Sequence, residues 1–430
     1  MNILMATNTF TPHVGGVARS TEAFTAEYRR RGHRVLVVAP GFDGQPADEV
    51  DVVRIPAIQN FNGSDFSVAL PVPRFLTAKI EAFDPDVVHA HHPFLLGATA
   101  ARVAHFYDRP LVFTHHTMYE QYTHYVPGDS PGMKRFVVDL ATHYANLCDC
   151  VIAPSETIAD VLRRRGVHVP VEVIPTGVRP ERFASGDRAR FRRRHGIPAN
   201  AFVIGHVGRL APEKNLGFLA DAVAHFLRDC PEASCLIVGS GPVQPVLRER
   251  LAAQGLADRL HLAGTLDGER LVDAYHAMDA FVFASKSETQ GMVLVEAMAA
   301  GVPVIALDAP GVREVVRDGD NGRLLPGAAS ARAFAAAIDW LRSRTAGERA
   351  RLADGARGTA NELSLSRTAD RSLALYARLT RDGRHNGREA YALWSATRRL
   401  IETEWGLLKG LSEATGAALQ SDRPIPDIDT

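Results

Sequence analysis

Short apolar runs alternate with amphipathic helical stretches along most of this chain, and the alternation runs through once, stops, and starts again. In the first pass Ile3–Ala6, Val35–Ala39, Val87–His89, Leu111–Phe113, Cys150–Ala153 and Val171–Ile174 read as buried strands. Helical periodicity fills several of the gaps, as in Ala18–Arg31 and Lys134–Leu147. The second pass gives Phe202–His206, Cys235–Val238, Leu260–Leu262, Ala280–Phe283 and Val304–Ala306, again with helices between. This pattern predicts parallel sheets covered by helices: an α/β chain of two doubly wound, Rossmann-like domains. The turn-rich Pro175-Thr176-Gly177-Val178-Arg179-Pro180 and the arginines after it set the expected boundary. Residues 1–184 form an N-terminal domain, 185–370 a C-terminal one, and 371–430 a helical segment expected to pack back on the first. Ligands of open α/β sheets bind beyond the carboxyl ends of the strands, so chemistry is expected in those loops, facing each other across a cleft.

Bulk properties narrow the class. A length of 430 residues fits two domains. No apolar run reaches the ~18 residues of a membrane span, and Met1–Thr7 reads as a first strand, not a signal peptide. Four cysteines, with Cys148 and Cys150 flanking one Asp, read as buried thiols in a reducing cytoplasm. Lys plus Arg (49) equals Asp plus Glu (49), which argues against nucleic acid as a partner. Arg163–Arg165 and the run Arg188, Arg190, Arg192, Arg193, Arg194 read either as solvated helix faces or as a basic patch toward an anionic membrane surface. Leu393, Trp394, Leu400, Ile401, Trp405, Leu408 and Leu411, interrupted by Thr397, form a helical stripe that reads as packed on the protein body.

Three loops carry anion-binding chemistry. Gly15-Gly16 lies between the first strand and a helix, where backbone amides can approach an anion, but it lacks the GxGxxG spacing of a dinucleotide site. Gly208-Arg209-Leu210-Ala211-Pro212-Glu213-Lys214-Asn215 follows a strand of the second domain, and its Arg and Lys can reach one diphosphate together. Glu288-Thr289-Gln290-Gly291-Met292 opens a helix that carries Glu296 a little over two turns on. The amides of Gly291 and Met292 suit phosphate or sugar oxygens, and Glu296, among apolar neighbours, suits the vicinal hydroxyls of a ribose.

Taken together, Gly15-Gly16, Gly208-Arg209 with Lys214, and Glu288 with Glu296 resemble the retaining glycosyltransferases of family 4, in the GT-B fold, over about residues 1–375. The resemblance implies that Arg209 and Lys214 bind and neutralise the donor diphosphate. It implies that Glu296 holds the ribose and Glu288, with Thr289, Gln290, Gly291 and Met292, the transferred sugar, while Gly16 approaches the phosphates. Retention in that family is explained by front-face attack, with the leaving phosphate accepting the acceptor's proton. Phe113-Thr114-His115-His116-Thr117-Met118-Tyr119-Glu120-Gln121-Tyr122 is similar to a loop of the diacylglycerol glucosyltransferases within the family, and His89-Ala90-His91-His92-Pro93-Phe94 to the strand end before it. This narrower likeness implies UDP-glucose as donor, a lipid hydroxyl such as 1,2-diacylglycerol as acceptor, and a peripheral place on the inner membrane face. His116 would reach the donor sugar or acceptor hydroxyl, with Tyr119 and Tyr122 on the acceptor side. Met118, Tyr119, Tyr122, Tyr125 and Val126 would then form an aromatic-apolar loop for acyl chains or an interface. His115 is an additional histidine in that loop, and the tail after about Arg384 has no counterpart. No cofactor and no metal are implied: His89, His91, His92, His115 and His116 cluster without an Asp or Glu in motif spacing.

Other readings stay open at this level. The same scaffold serves other nucleotide sugars and other lipid or soluble acceptors. A sugar-nucleotide epimerase would need acid/base groups but no acceptor pocket. A phosphorylase-like enzyme would hold pyridoxal phosphate on Lys214, and a catalytically dead sensor is at odds with an intact set of Arg209, Lys214, Glu288 and Glu296.

Overall fold

The computed structural model describes residues 1–13, 15–58, 68–69, 74–121, 130–286, 288–382 and 415. The chain divides into two compact units, Met1–Thr176 with Thr368–Thr430, and Gly177–Arg367.

In the first unit the order is β1 (Asn2–Ala6), α1 (Gly16–Arg30), β2 (Arg34–Pro40), β3 (Val52–Ile55), β4 (Ala57–Ile58), β5 (Val68–Ala69), α2 (Arg74–Phe83) and β6 (Val87–Ala90). It continues with α3 (Leu96–Phe106), β7 (Leu111–Thr114), α4 (Pro131–Asn146), β8 (Cys150–Ala153), α5 (Glu156–Arg164) and β9 (Val171–Val173). Seven strands form one parallel sheet in the order β3-β2-β1-β6-β7-β8-β9, and β4 pairs with β5 separately. Strand order reverses direction between β1 and β6, the switch point at which open α/β sheets bind ligands.

The second unit begins with two short helices, α6 (Pro180–Phe183) and α7 (Arg188–Arg194), and then winds its own sheet. That sheet comprises β10 (Phe202–Val207), β11 (Ala233–Val238), β12 (Leu260–Gly264), β13 (Ala280–Phe283), β14 (Val304–Leu307) and β15 (Gly322–Leu325). The helices are α8 (Leu216–Asp229), α9 (Gln244–Ala252), α10 (Gly268–Ala277), α11 (Met292–Ala299), α12 (Ala331–Arg342) and α13 (Ala346–Glu362). The order β12-β11-β10-β13-β14-β15 again reverses at the first strand of the unit, between β10 and β13. Successive strand residues enter opposite cores: Val203, Leu236, Phe281 and Val304 one, Ile204, Ile237, Val282 and Ile305 the other. A sheet covered on both faces needs apolar side chains at every position, which is why these strands read as unbroken apolar runs.

The junction at Thr176–Gly177 precedes the basic run, whereas the turn chemistry places it near 185. The difference has a packing cause, because α6 and α7 belong to the second unit. The Phe183 ring meets Tyr275 edge-on at 5.8 Å between centroids. Arg188 pairs with Asp279 at 2.8 Å and Arg190 with Asp273 at 2.5 Å. Arg192 is 2% exposed, and its guanidinium donates to Ala199, Ala201 and Ala277 carbonyls and to Asp279. The run is therefore mainly a clamp under the second sheet and not the free basic patch considered above; of its arginines, Arg193 and Arg194 are exposed and outside these ion pairs.

Helix α14 (Leu365–Asp382) follows α13, and from Thr368 it counts with the first unit. Arg31 pairs with Asp370, Arg378 with Glu172 at 2.8 Å, and Tyr28 Oη lies 2.5 Å from Ser372 Oγ. The stripe between Tyr391 and Leu411 lies outside the described residues. Among the described residues no helix is long and apolar enough to cross a membrane, and all four cysteines are free and buried.

At two loops of the second unit the backbones touch. Gly239, with φ +130°, would place a Cβ 1.9 Å from the Gly208 carbonyl oxygen. Backbone cannot yield there as a flexible side chain could, so Gly239→Ala is expected to destabilise the protein by about 3 kcal/mol or more. Chemical denaturation checks this, with Gly255→Ala as the comparison, since Gly255 shares a positive φ but has nothing within 4 Å.

Candidate active site

In the second unit the loop after β10 is tied to the strand ends on both sides of it, β11 and β13. Gly208 N–H donates to the Val238 carbonyl at 3.0 Å and Leu210 N–H to Ser240 at 2.9 Å. Asn215 starts α8 from a left-handed conformation, φ 54°, which Asn tolerates better than most residues. Its side chain donates to the Ala284 carbonyl at 3.1 Å, just past β13. Residues 208–215 and the Glu288 loop are thereby held at one sheet edge.

There Lys214 Nζ donates to Glu288, both side chains mostly covered, and Arg209 donates to Glu213 while remaining 43% exposed. Gly291 caps α11 with φ 70°, turning the chain so that Met292 begins the helix. Gln290 is buried beneath Gly311, where a Cβ would come within 2.6 Å of the Gln290 amide nitrogen. Glu296 is 7% exposed and accepts a 2.7 Å hydrogen bond from Tyr275 Oη. Arg209, Lys214, Glu288, Thr289, Gln290, Gly291, Met292 and Glu296 thus share one unit and one end of its sheet.

His206, on β10, was not singled out by sequence reasoning. A carbonyl can only accept, so the 3.1 Å contact with Val282 O places the proton of His206 on Nδ1. Nε2 is buried with no hydrogen-bond partner among the described residues. Burial holds its pKa down to about 4, with Lys214 lowering it further and Glu288 opposing.

In the first unit Gly15 caps α1 and Gly16 is its first residue; a Cβ on Gly16 would meet nothing within 4 Å. Asn8 joins the loops after β1 and β6: its N–H donates to His92 Nδ1 at 3.1 Å and its amide to the Phe94 carbonyl at 3.0 Å. His116 Nε2 lies 2.9 Å from His91 Nδ1. His89 is engaged at both nitrogens. Ser372 donates to the Ala369 carbonyl, so Tyr28 donates to Ser372. Tyr376 Oη lies 2.6 Å from His89 Nδ1 and 3.4 Å from Tyr28 Oη. His89 Nε2 lies 2.7 Å from Thr114 Oγ1.

The loop after β7 departs from the acyl-chain expectation. Met118 is 1% exposed and belongs to the core, and the Tyr119 ring packs edge-on against Phe94 and His115. Its hydroxyl is buried without a partner among the described residues. Arg165 is 4% exposed and pairs with Glu120 at 2.8 Å, pinning this turn from inside; Arg163 pairs with Asp160. Tyr122, Tyr125 and Val126 lie outside the described residues. Among the described residues no group of three or more His, Cys, Asp or Glu is arranged to hold a metal ion.

Two parallel-sheet Rossmann-like units, with cationic and carboxylate loops at a switch point, define a glycosyltransferase of the GT-B fold class. The family model described as Glycosyltransferase Family 4 matches residues 14–182, and that described as Glycosyl transferases group 1 matches 187–359. The alpha-monoglucosyldiacylglycerol synthase of Acholeplasma laidlawii is 30% identical over 75% of this chain and 84% of its own. The GDP-mannose-dependent alpha-mannosyltransferase of Mycobacterium tuberculosis is 32% identical over 76% and 84%. Among solved structures, Anabaena HepE in complex with UDP superposes with a TM-score of 0.69 at 24% identity, over 88% of this chain and all of that one. The chain belongs to glycosyltransferase family 4.

The histidine cluster makes stability pH-dependent. Burial holds His89, His92 and His115 down to about 3 and pushes His91 and His116 well below the usual range. The folded protein keeps all five neutral, whereas in the unfolded chain they protonate near pH ~6.5. Below that pH the unfolded state binds more protons, so stability present at neutral pH is lost as pH falls. The urea midpoint should hold above about pH 7 and drop below about pH 6.5, more steeply than the ~1.4 kcal/mol per pH unit of one proton. A flat profile down to about pH 5 would mean that the cluster is solvated.

Proposed function

We propose that this enzyme is a retaining glycosyltransferase that moves glucose from UDP-glucose to a lipid hydroxyl such as that of 1,2-diacylglycerol. The reading is carried by the loop His116-Thr117-Met118-Tyr119-Glu120 at the carboxyl end of β7, which resembles a loop of the diacylglycerol glucosyltransferases. The 30% identity to a relative named for that product supports it. In this reading the first unit takes the acceptor and the second holds the donor. Arg209, Lys214 and the amides at Gly291 and Met292 stabilise charge on the departing diphosphate. Glu296, already oriented by Tyr275, accepts from the ribose hydroxyls, and Glu288 with Thr289 and Gln290 holds the sugar. The acceptor oxygen bonds to the anomeric carbon on the face the diphosphate leaves, and its proton passes to a phosphate oxygen. Anomeric configuration is retained with no protein nucleophile, and His116 orients the reacting hydroxyls.

A lipid acceptor entails docking on the inner membrane face. Because Arg165, Arg188, Arg190 and Arg192 are engaged within their units, the exposed Arg193 and Arg194 are left as contributors, and the expected salt dependence is shallow. A second reading, GDP-mannose as donor, is favoured by the 32% identity to a mannosyltransferase named for it. Mass spectrometry of UDP-glucose, UDP-galactose and GDP-mannose crossed with diacylglycerol vesicles and soluble glycosides decides between them. Glucosyl transfer to diacylglycerol with an α anomer is expected. Transfer from GDP-mannose alone, or to soluble acceptors alone, overturns the donor or the acceptor assignment respectively.

Two variants test the donor site. Lys214→Ala should lower turnover at saturating donor by about 100-fold or more, the scale of one lost oxyanion donor. Gly16→Ala has open space around its new methyl, so its melting temperature should be unchanged while donor KM rises. Unchanged KM would remove Gly16 from the phosphate site.

A further inference from the structure

The histidine cluster of the first unit contains a group that the transfer reaction described above does not use. His91 is 1% exposed, at the carboxyl edge of β6 beside the switch point, and its Nδ1 meets His116 Nε2 at 2.9 Å. We propose that His91 is the positioning residue for His116, holding its imidazole in one rotamer and one protonation state. This rests on the reading that His116 orients the reacting hydroxyls.

Three observations carry it. First, the bond spans two loops, 25 residues apart in sequence, and the rings lie nearly parallel at 23° with centroids 5.2 Å apart. His91 therefore fixes the plane of His116 as well as one of its nitrogens. Second, His91 is itself immobilised. The His89 ring lies against it at 4.2 Å between centroids, and both His89 nitrogens are taken, by Thr114 and by Tyr376 of α14. Third, the space around the pair is small: the cavity bounded by Ser20, His89, His91, Thr114, His116 and Thr176 has a volume of about 10 Å³, room for at most one water. Two imidazoles in such surroundings cannot both be charged, so a single proton is shared along the Nδ1–Nε2 line. With its Nε2 engaged by His91, rotation of the His116 ring would break that bond and leave buried nitrogens unpaired.

Isosteric and conservative variants of the intact enzyme test the proposal. His91→Phe keeps the ring and removes the bond; His91→Asn places an amide near the position of Nδ1 and can donate or accept. Transfer should fall about 10- to 100-fold in kcat for His91→Phe, the scale of a misplaced reacting group. KM for the donor and UDP affinity by calorimetry should be unchanged, and His91→Asn should recover kcat to within a few-fold. In a His116→Ala background, His91→Phe should cost nothing further, since the two act as one unit.

Wild-type kcat in His91→Phe with an inactive His116→Ala overturns the positioning role while leaving the role of His116 intact. Additive losses, or His91→Asn no better than His91→Phe, overturn it as well, reducing His91 to a packing residue. Full activity of His116→Ala removes the role of His116 and this inference with it.

Discussion

Reversal of strand order at β1/β6 and at β10/β13 is the constraint on which the functional part of this molecule depends. All ladders of the two large sheets are parallel, so every strand delivers its carboxyl end to the same edge. At the reversal, the chain leaves two adjacent strands toward opposite faces, and the loops part instead of packing on each other. The residues with anion and sugar chemistry fall at these two partings. Gly15 and Gly16 follow β1, His91 follows β6, Arg209 and Lys214 follow β10, and Glu288 follows β13. A single Asn closes each parting from below, Asn8 in the first unit and Asn215 in the second. Side-chain amides suit this work because each donates and accepts across a gap that backbone alone does not span.

Both sites hold polar groups where burial is unfavourable. Glu296, Gln290, His91, His115 and His206 are all buried, and nitrogens of the three histidine rings find no partner among the described residues. An unpaired buried donor or acceptor costs about 1–3 kcal/mol, so His91, His115 and His206 are retained against stability. Large apolar cores offset them, with Phe281, Phe283, Tyr275 and Phe113 among the fully buried side chains. Glycines contribute by letting backbone approach backbone, as Gly239 does at Gly208 and Gly311 at Gln290.

The fold was readable because double-sided burial leaves an unmistakable apolar run for each central strand. The edge strands β9 and β12 were readable in the same way, but β3, β15 and the short β4–β5 pair lack such runs. The cationic and carboxylate residues of the second unit were legible from residue type and position along the chain. Their pairing was not, because Lys214 and Glu288 are 74 residues apart and only the sheet order brings them together. Tyr275 and His206 gave no signal, each being an ordinary residue of an apolar element until its partner is known. Charge counts misled at the arginine runs: composition records a cation but not the carboxylate or carbonyl that engages it, as with Arg192 and Arg165. Met118 misled similarly, since an apolar loop residue can face inward as readily as outward.

The return of α14 to the first unit has a consequence for how the protein is made. The second unit is one uninterrupted stretch, Gly177–Arg367, and has all its residues in hand before the chain is finished. The first unit begins the sequence yet waits for Asp370, Ser372 and Tyr376, the partners of Arg31, Tyr28 and His89. On the ribosome, where segments emerge from the amino end, the half that appears first is therefore completed last. Within its histidine cluster, His89 lacks its Tyr376 partner until the second unit has been translated, so completion of one half of the catalyst reports that synthesis of the other is complete.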